Sequence, residues 1–396
     1  MLNYIEEVNT NIKLEEGKKT IEDILVKVYF EEGISTKELA RNNILPIPIV
    51  AAIKKEFIKK GLIIQDRGTR LTAKGIRFVE EQLGFKGINR ALYMKLLMEP
   101  WKEHKEIIEI KEELKMIFNN RPQVDVTIDQ SKSSVDTSLK RAILSLKNHT
   151  LIGKRILCIG DDDLVSVALG FLLKRLFNNT ICHNTKITVM DIDKRVTDYI
   201  SNIAIKESLP IECKCVDLRI PLTDDFKNQF DCFFTDPPYT LKGMNLFLSR
   251  GIEALKDDSG LTIYFSYAHK SPDFQLAMQK YFLSMGLMIS EVIARFNAYE
   301  GAGVIGNTGQ MIILKTTNVT KSLIQTSYKG PLYTGELKTT IRFYRCTKCG
   351  EVIKVGVTEK FNTIEKLKSK GCYKCNNQAF KLIKLSLIHI SEPTRH

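Results

Sequence analysis

Between residues 151 and 316, short apolar runs alternate with longer stretches whose apolar positions recur every three or four residues. The runs Arg155–Ile159, Lys186–Met190, Glu212–Val216, Asp231–Phe234, Gly260–Phe265, Leu287–Arg295 and Gln310–Lys315 are too short for helices and are rich in branched and aromatic side chains, as strands are. Leu164–Phe177, Val196–Lys206 and Met244–Leu255 carry the helical spacing. This alternation predicts an α/β core over residues 151–320, with a doubly wound, mostly parallel sheet of seven strands. Ligands of such a sheet bind at the carboxyl ends of its strands.

Upstream the pattern changes. Ile21–Tyr29 has helical spacing, Ser35 is placed to cap Thr36–Arg41, and Pro46 and Pro48 open a third helix that Gly61 ends. Leu62–Gln65 and Thr69–Leu71 flank the turn Asp66-Arg67-Gly68, and Thr72 begins a further helix. Over residues 1–83 this order resembles a winged helix-turn-helix domain. Lys54, Lys55, Lys59, Lys60, Arg67 and Arg70 are its candidate phosphate contacts, while a protein–protein or dimerisation role suits its mild charge. Residues 84–150 read as a charged helical connector. No run of 18 apolar residues occurs and the first residues lack the pattern of a leader, so a cytoplasmic protein without a membrane partner is expected.

Charge alters the picture only by its placement. The net +13 divides into 26 basic and 22 acidic side chains over residues 1–150, 18 and 19 over 151–320, and 15 and 5 over 321–396. The segment that carries the chemistry is not basic, which argues against a phosphate-lined cleft there. Of nine cysteines, Cys158, Cys182, Cys213, Cys215 and Cys232 lie in or near apolar runs, as reduced cysteines do, and no disulfide framework is indicated.

Acids mark the expected strand ends. The first strand leads into Gly160-Asp161-Asp162-Asp163, where a glycine lets a cofactor approach the backbone. Three adjacent carboxylates repel a phosphate or a carboxylate and attract an ammonium, although one aspartate alone would serve to complement a helix N-terminus. Asp191 follows the second strand, where such folds bind ribose hydroxyls, and Asp193 is placed to cap the next helix. Asp217 follows the third and suits an adenine amino group. After the fourth, Asp236-Pro237-Pro238-Tyr239 presents an acid and an aromatic ring on stiffened backbone, to orient or deprotonate an amine and to face a cation.

The Asp-Pro-Pro-Tyr motif is shared with amino-methyltransferases that act on nucleic-acid bases. Combined with Gly160-Asp161-Asp162-Asp163, Asn245–Gly251 and Tyr299–Gly303, it makes the chain resemble the branched-chain polyamine synthases, N(4)-bis(aminopropyl)spermidine synthases, of thermophilic archaea and bacteria. The resemblance implies a class I methyltransferase-like, Rossmann-like core and aminopropyl transfer from decarboxylated S-adenosylmethionine to the internal amine of spermidine and related polyamines. Within it Asp161, Asp162 and Asp236 are the expected catalytic residues; Gly160, Asp191 and Asp217 are expected at the donor; Asp163, Tyr239 and Glu300 at the acceptor. A base-modifying methyltransferase using the ordinary donor is the alternative, and Asp161–Asp163 oppose that donor's carboxylate.

Cys346-Thr347-Lys348-Cys349 and Cys372-Tyr373-Lys374-Cys375, 22 residues apart, are spaced for a structural zinc within a ribbon over residues 321–384. This basic segment is expected to cap the core, form a homodimer contact or bind nucleic acid. Residues 385–396 read as an appended tail.

Overall fold

The computed structural model describes residues 4–98, 100–178, 184–300, 308–334, 339–356, 359–361 and 363–388. The chain divides into two compact units. The first comprises Met1–Val124, Ser131–Pro237 and Asn245–Tyr328; the second Asp125–Gln130, Pro238–Met244 and Lys329–His396.

In the first unit, α1 (Tyr4–Ile12), α2 (Lys18–Phe30), α3 (Thr36–Asn42) and α4 (Ile47–Lys59) precede a hairpin of β1 (Ile63–Gln65) and β2 (Thr69–Leu71), then α5 (Ala73–Arg77), α6 (Arg90–Leu97), α7 (Lys105–Asn119) and α8 (Val135–Lys147). The caps follow from the local sequence. The Ser35 hydroxyl accepts from the Glu38 N–H while the Glu38 carboxylate accepts from the Ser35 N–H, and Thr72 accepts from the Gly75 N–H. Lys54, expected on the phosphate-facing surface, is instead buried, its ammonium donating to Thr36 Oγ1 and Gln65 Oε1 at 2.6 Å. Lys59 pairs with Glu56 and Lys60 with Glu7.

The main sheet has eight strands among the described residues, against seven expected. They are β3 (Lys132–Ser133), β4 (Arg155–Ile159), β5 (Lys186–Asp191), β6 (Ile211–Cys215), β7 (Cys232–Thr235), β8 (Thr262–Ala268), β9 (Leu287–Glu300) and β10 (Thr308–Thr316). Their order is β3-β9-β10-β8-β7-β4-β5-β6. The five strands β6-β5-β4-β7-β8 are parallel, and β10 runs against both its neighbours, so the sheet is mixed. The added strand, β3, is two residues long and lies in the segment read as a connector. The helices α9 (Val165–Leu176), α10 (Lys194–Glu207) and α11 (Leu241–Ala254) occupy the expected stretches, and α12 (Pro272–Ser284) leads into β9.

One buried apolar cluster extends from Ile5 through Trp101 and Leu146 to Ile313, so no break in the core separates residues 1–83 or 84–150 from the sheet. Cys158 and Cys232 lie in the core, whereas Cys215 is exposed and Cys182 lies outside the described residues.

The second unit contains a three-stranded antiparallel sheet, β12-β11-β13, of β11 (Thr339–Cys346), β12 (Val352–Val355) and β13 (Phe380–Ile388). Residues 385–388 pair with β11, so the expected tail starts inside a strand; residues 389–396 lie outside the described residues. Among the described residues no helix is long and apolar enough to cross a membrane.

Candidate active site

Strand register aligns the predicted positions at one edge of the sheet. Ile159 is level with Met190 on one side and Thr235 on the other, and Asp191 with Cys215. Gly160, Asp191 and Asp236 therefore leave three adjacent strands together, as ligand-binding residues of such sheets do. Gly160 has φ +69°, a left-handed conformation that explains the glycine. Two buried side-chain atoms here, Thr235 Oγ1 and Asp236 Oδ1, find no hydrogen-bond partner. Buried polar atoms are usually satisfied, so this edge is built to receive polar groups from outside the chain.

The three adjacent aspartates turn out to have different tasks. Asp161 is buried and its carboxylate accepts from the N–H groups of Val165, at 2.7 Å, and Ser166, at 3.1 Å. These bonds complement the N-terminus of α9, the role that one aspartate of the run was expected to serve. Asp163 is also buried; it accepts from the Ser133 N–H at 3.1 Å and from Arg141 Nη1 at 2.7 Å. Asp163 thus shares the buried Arg141 guanidinium with Asp236. Asp162 is half-buried, and one of its oxygens accepts from the Ser131 N–H at 3.0 Å. Of the three it is the one that is not fully buried.

Asp191 accepts from the N–H groups of Asp161, at 3.0 Å, and Asp193, at 2.8 Å, one on each oxygen. Both oxygens keep a second lone pair for hydroxyl donors. Asp193 caps α10 and grips Arg195, as its position suggests. Asp217, half-buried beyond the end of β6, accepts from the Arg219 N–H at 2.9 Å. Glu300 is exposed and lies 3.4 Å from Arg121 Nη2. Gly301, Ala302 and Gly303 lie outside the described residues. The Asp-Pro-Pro-Tyr run spans two units: Asp236 and Pro237 belong to the first, Pro238 and Tyr239 to the second. There Thr240 Oγ1 accepts from the Gly243 N–H and donates to the Leu332 carbonyl, both at 2.8 Å.

The centre of the site is a residue that sequence patterns did not single out. Arg141 sits in α8 (Val135–Lys147), fully surrounded by protein. Its guanidinium donates to Asp163 Oδ2 at 2.7 Å, to Asp236 Oδ2 at 3.2 Å, and through Nε and Nη2 to Asn297 Oδ1 at 3.1 and 3.0 Å. Burial alone would lower its pKa, but Asp163, Tyr299 and Asp236 hold it well above the ordinary value. Tyr299 donates its hydroxyl to the same Asp236 Oδ2 at 2.5 Å. Asp236 thus has one oxygen held twice and the other, Oδ1, buried without a partner. The one clue in the sequence was polar spacing along α8, where Ser138, Arg141 and Ser145 share a face among Leu139, Ala142 and Ile143.

Electrostatics follows from crowding. Burial, then the charge of Asp163, raises the Asp236 carboxyl to about 6, with Arg141 and Tyr299 opposing. Burial raises Asp161 to about 7 and Asp191 to about 6 against the N–H bonds they accept. Asp162 is pushed well above the carboxylate range by burial and by Asp163, Asp191 and Asp236. Five carboxyl groups around one guanidinium form a site that gains from binding a cation.

In the second unit the sulfurs of Cys346, Cys349, Cys372 and Cys375 all lie within 4.8 Å of one another. Cys346 and Cys375 are 3.5 Å apart and Cys349 and Cys372 3.6 Å. Tetrahedral ligands at zinc–sulfur distance would stand about 3.8 Å apart, so the donor set fits a metal ion. Gly350 and Asn376, each just after a knuckle, have φ +77° and +54°. The glycine was legible; asparagine fills the equivalent place because it tolerates that conformation.

Residues 109–352 match the family model described as the branched-chain polyamine synthase A C-terminal domain. The chain is 38% identical to an uncharacterized protein of Methanocaldococcus jannaschii, over 93% of this chain and 90% of that one. It is 30% identical to the N(4)-bis(aminopropyl)spermidine synthase of Thermococcus kodakarensis, over 78% of this chain and 85% of that one. The fold is shared with the crystal structure of the branched-chain polyamine synthase from Thermus thermophilus in complex with N4-aminopropylspermidine and 5′-methylthioadenosine, with a TM-score of 0.51 and 23% identity over 83% of this chain and 96% of that one. On the extent of the family match and of the Thermococcus likeness, the chain belongs to the branched-chain polyamine synthase family.

Proposed function

We propose that this enzyme transfers aminopropyl groups from decarboxylated S-adenosylmethionine to the internal secondary amine of spermidine, giving N(4)-aminopropylspermidine and then N(4)-bis(aminopropyl)spermidine. The observation that carries the reading is the crowd of buried carboxyls at one sheet edge, with Asp236 Oδ1 left open. A polycation relieves their mutual repulsion, whereas a donor bearing a carboxylate adds to it.

In the reaction the amine lone pair attacks the methylene carbon bonded to sulfonium. The carbon–nitrogen bond forms as the carbon–sulfur bond breaks, and the sulfur leaves as the neutral thioether of 5′-methylthioadenosine. The attacking nitrogen must first be unprotonated, and Asp236 Oδ1 is the acceptor placed for that proton. The second transfer starts from a tertiary amine and ends with a quaternary nitrogen, so its proton too must leave before attack. Asp162 holds an ammonium of the acceptor, Asp191 and Gly160 receive the adenosyl ribose, and Asp217 the base.

The acidic groups make a testable prediction about pH. Asp161, Asp191 and Asp236 titrate at about 7, 6 and 6 when folded, above the value of about 4 for an unfolded aspartate. The folded state therefore binds more protons between about pH 4 and 7, and these groups destabilise it as pH rises. Without ligand, their contribution should raise the melting midpoint on going from pH 8 to 5.5, by about 2–4 °C for each kcal/mol recovered. Spermidine replaces protons as the neutralising charge, so its stabilising shift should be larger at pH 8. Differential scanning fluorimetry checks this; a spermidine shift that is equal at both pH values, or larger at 5.5, contradicts polycation binding at these carboxyls.

The four cysteines are proposed to hold a structural zinc, since four thiolates leave it no open position. Stripping the metal with a chelator, or the change Cys349→Ser, should unfold the ribbon. Amide exchange should accelerate in residues 341–384, while α9 and the parallel strands stay protected. Loss of protection across the sheet as well would contradict a local role. Residues 1–83 are proposed as a winged-helix module for protein contact, as in a homodimer, because the buried Lys54 and the paired Lys59 and Lys60 leave only half of the six candidate cations for phosphates.

A further inference from the structure

The second unit carries charge that the transfer reaction does not use. Residues 339–384 hold 11 basic and 3 acidic side chains. The central strand β11 fixes where part of that charge goes, because directly opposed residues on neighbouring strands share a face. Phe343 lies between Lys354 of β12 and Lys384 of β13, and two residues on, Arg345 lies between Val352 and Lys381. The other face is the core, with Tyr344, Ile353 and Val355 buried beside Cys346 and Leu367.

The outer face thus gathers four exposed cations around one half-buried aromatic ring, with none of its six side chains acidic. The Lys354 ammonium stands 5.8 Å from the centre of the Phe343 ring, and Val352 is 41% exposed. Among the described residues, none of the four cations has a carboxylate within ion-pair distance. Like charges on adjacent strands destabilise a sheet, and a polyanion laid across them reverses the sign of that interaction.

We propose that this face binds a single-stranded nucleic acid, with phosphates at Arg345, Lys354, Lys381 and Lys384 and a base against Phe343. A ring on a sheet surface offers stacking only to an unpaired base, since bases within a duplex are already stacked. Strand spacing of about 5 Å sets the cations beside the ring, where the backbone of a stacked base runs.

The test is fluorescence anisotropy of the full metal-containing chain with labelled oligouridylate and with a duplex of the same length. Single-strand binding is expected, with a log–log salt slope of about −2 to −3 if each of four contacts contributes about 0.7. Lys354→Glu, Lys381→Glu and Lys384→Glu together should weaken it at least tenfold. The same charge change at Lys366, Lys368 and Lys370, on the helix Ile364–Lys370, should cost much less. Phe343→Ala should remove the preference for single strands and leave the salt slope. Retained zinc content and amide protection across residues 341–384 show that each variant's ribbon is folded, and Lys381→Glu alone serves where the triple change fails that check. The proposal is overturned by absence of saturable binding, by equal losses from the sheet and helix triples, or by duplex binding as tight as the single strand.

Discussion

Asp236→Asn is expected to slow aminopropyl transfer by two to four orders of magnitude, the range in which general-base contributions fall. Arg141 and Tyr299 would still hold one side of the side chain, so the shape of the site is retained. What disappears is an oxygen able to take a proton, and with it one negative charge beside the amine. Two measurements separate these effects. Single-turnover rates report the proton, and the variant should lose the acidic limb expected of the native enzyme near pH 6 from the raised Asp236 carboxyl. Spermidine affinity reports the charge and should fall far less than the rate. A variant within tenfold of the native rate, with the acidic limb intact, would place the base elsewhere, with Asp162 as the next candidate.

Arg141→Met should give the largest loss of stability. Methionine fills much of the stem's volume but leaves Asp163, the doubly held oxygen of Asp236 and Asn297 Oδ1 without their donor. Removing one partner from a buried ion pair typically costs about 3–5 kcal/mol, mostly from the charge left behind. The deficit should shrink as pH falls, because protonating the stranded carboxyls removes that charge. Adding Asp163→Asn should recover part of it at neutral pH. Arg141→Lys keeps the charge but lacks the fork that reaches three partners, so it should recover stability better than rate. Urea unfolding at pH 5.5 and 8 decides the matter; a loss under 1 kcal/mol at both would mean that the guanidinium is not what holds these carboxyls.

Much of the fold was legible because its signals are local. Buried strands such as Arg155–Ile159 and caps such as Ser35 and Thr72 are written in short patterns, and the structure places elements where those patterns lie. What was missed depends on distant partners. β3 is two polar residues long and exists because β9 continues past its expected end at Arg295 as far as Glu300, where Tyr299 and Glu300 pair with it. Arg141 is an unremarkable helix residue until Asp163, Asp236 and Asn297 converge on it from 22, 95 and 156 residues away.

The candidate site shows the same limit. A run of three aspartates suggested one shared task, yet the backbone turns each carboxylate toward a different partner. Asp161 meets the helix N–H groups, Asp163 meets Arg141, and Asp162 meets the Ser131 N–H. Composition and spacing locate the acids; only the fold divides their roles.

The central claim is tested most directly by incubating the purified enzyme with spermidine and either decarboxylated or ordinary S-adenosylmethionine, and resolving products by mass spectrometry with fragmentation. The account predicts aminopropyl groups added at the internal nitrogen of spermidine, with the decarboxylated donor alone. Methyl transfer from the ordinary donor to a nucleic-acid base, with spermidine untouched by either donor, would contradict it.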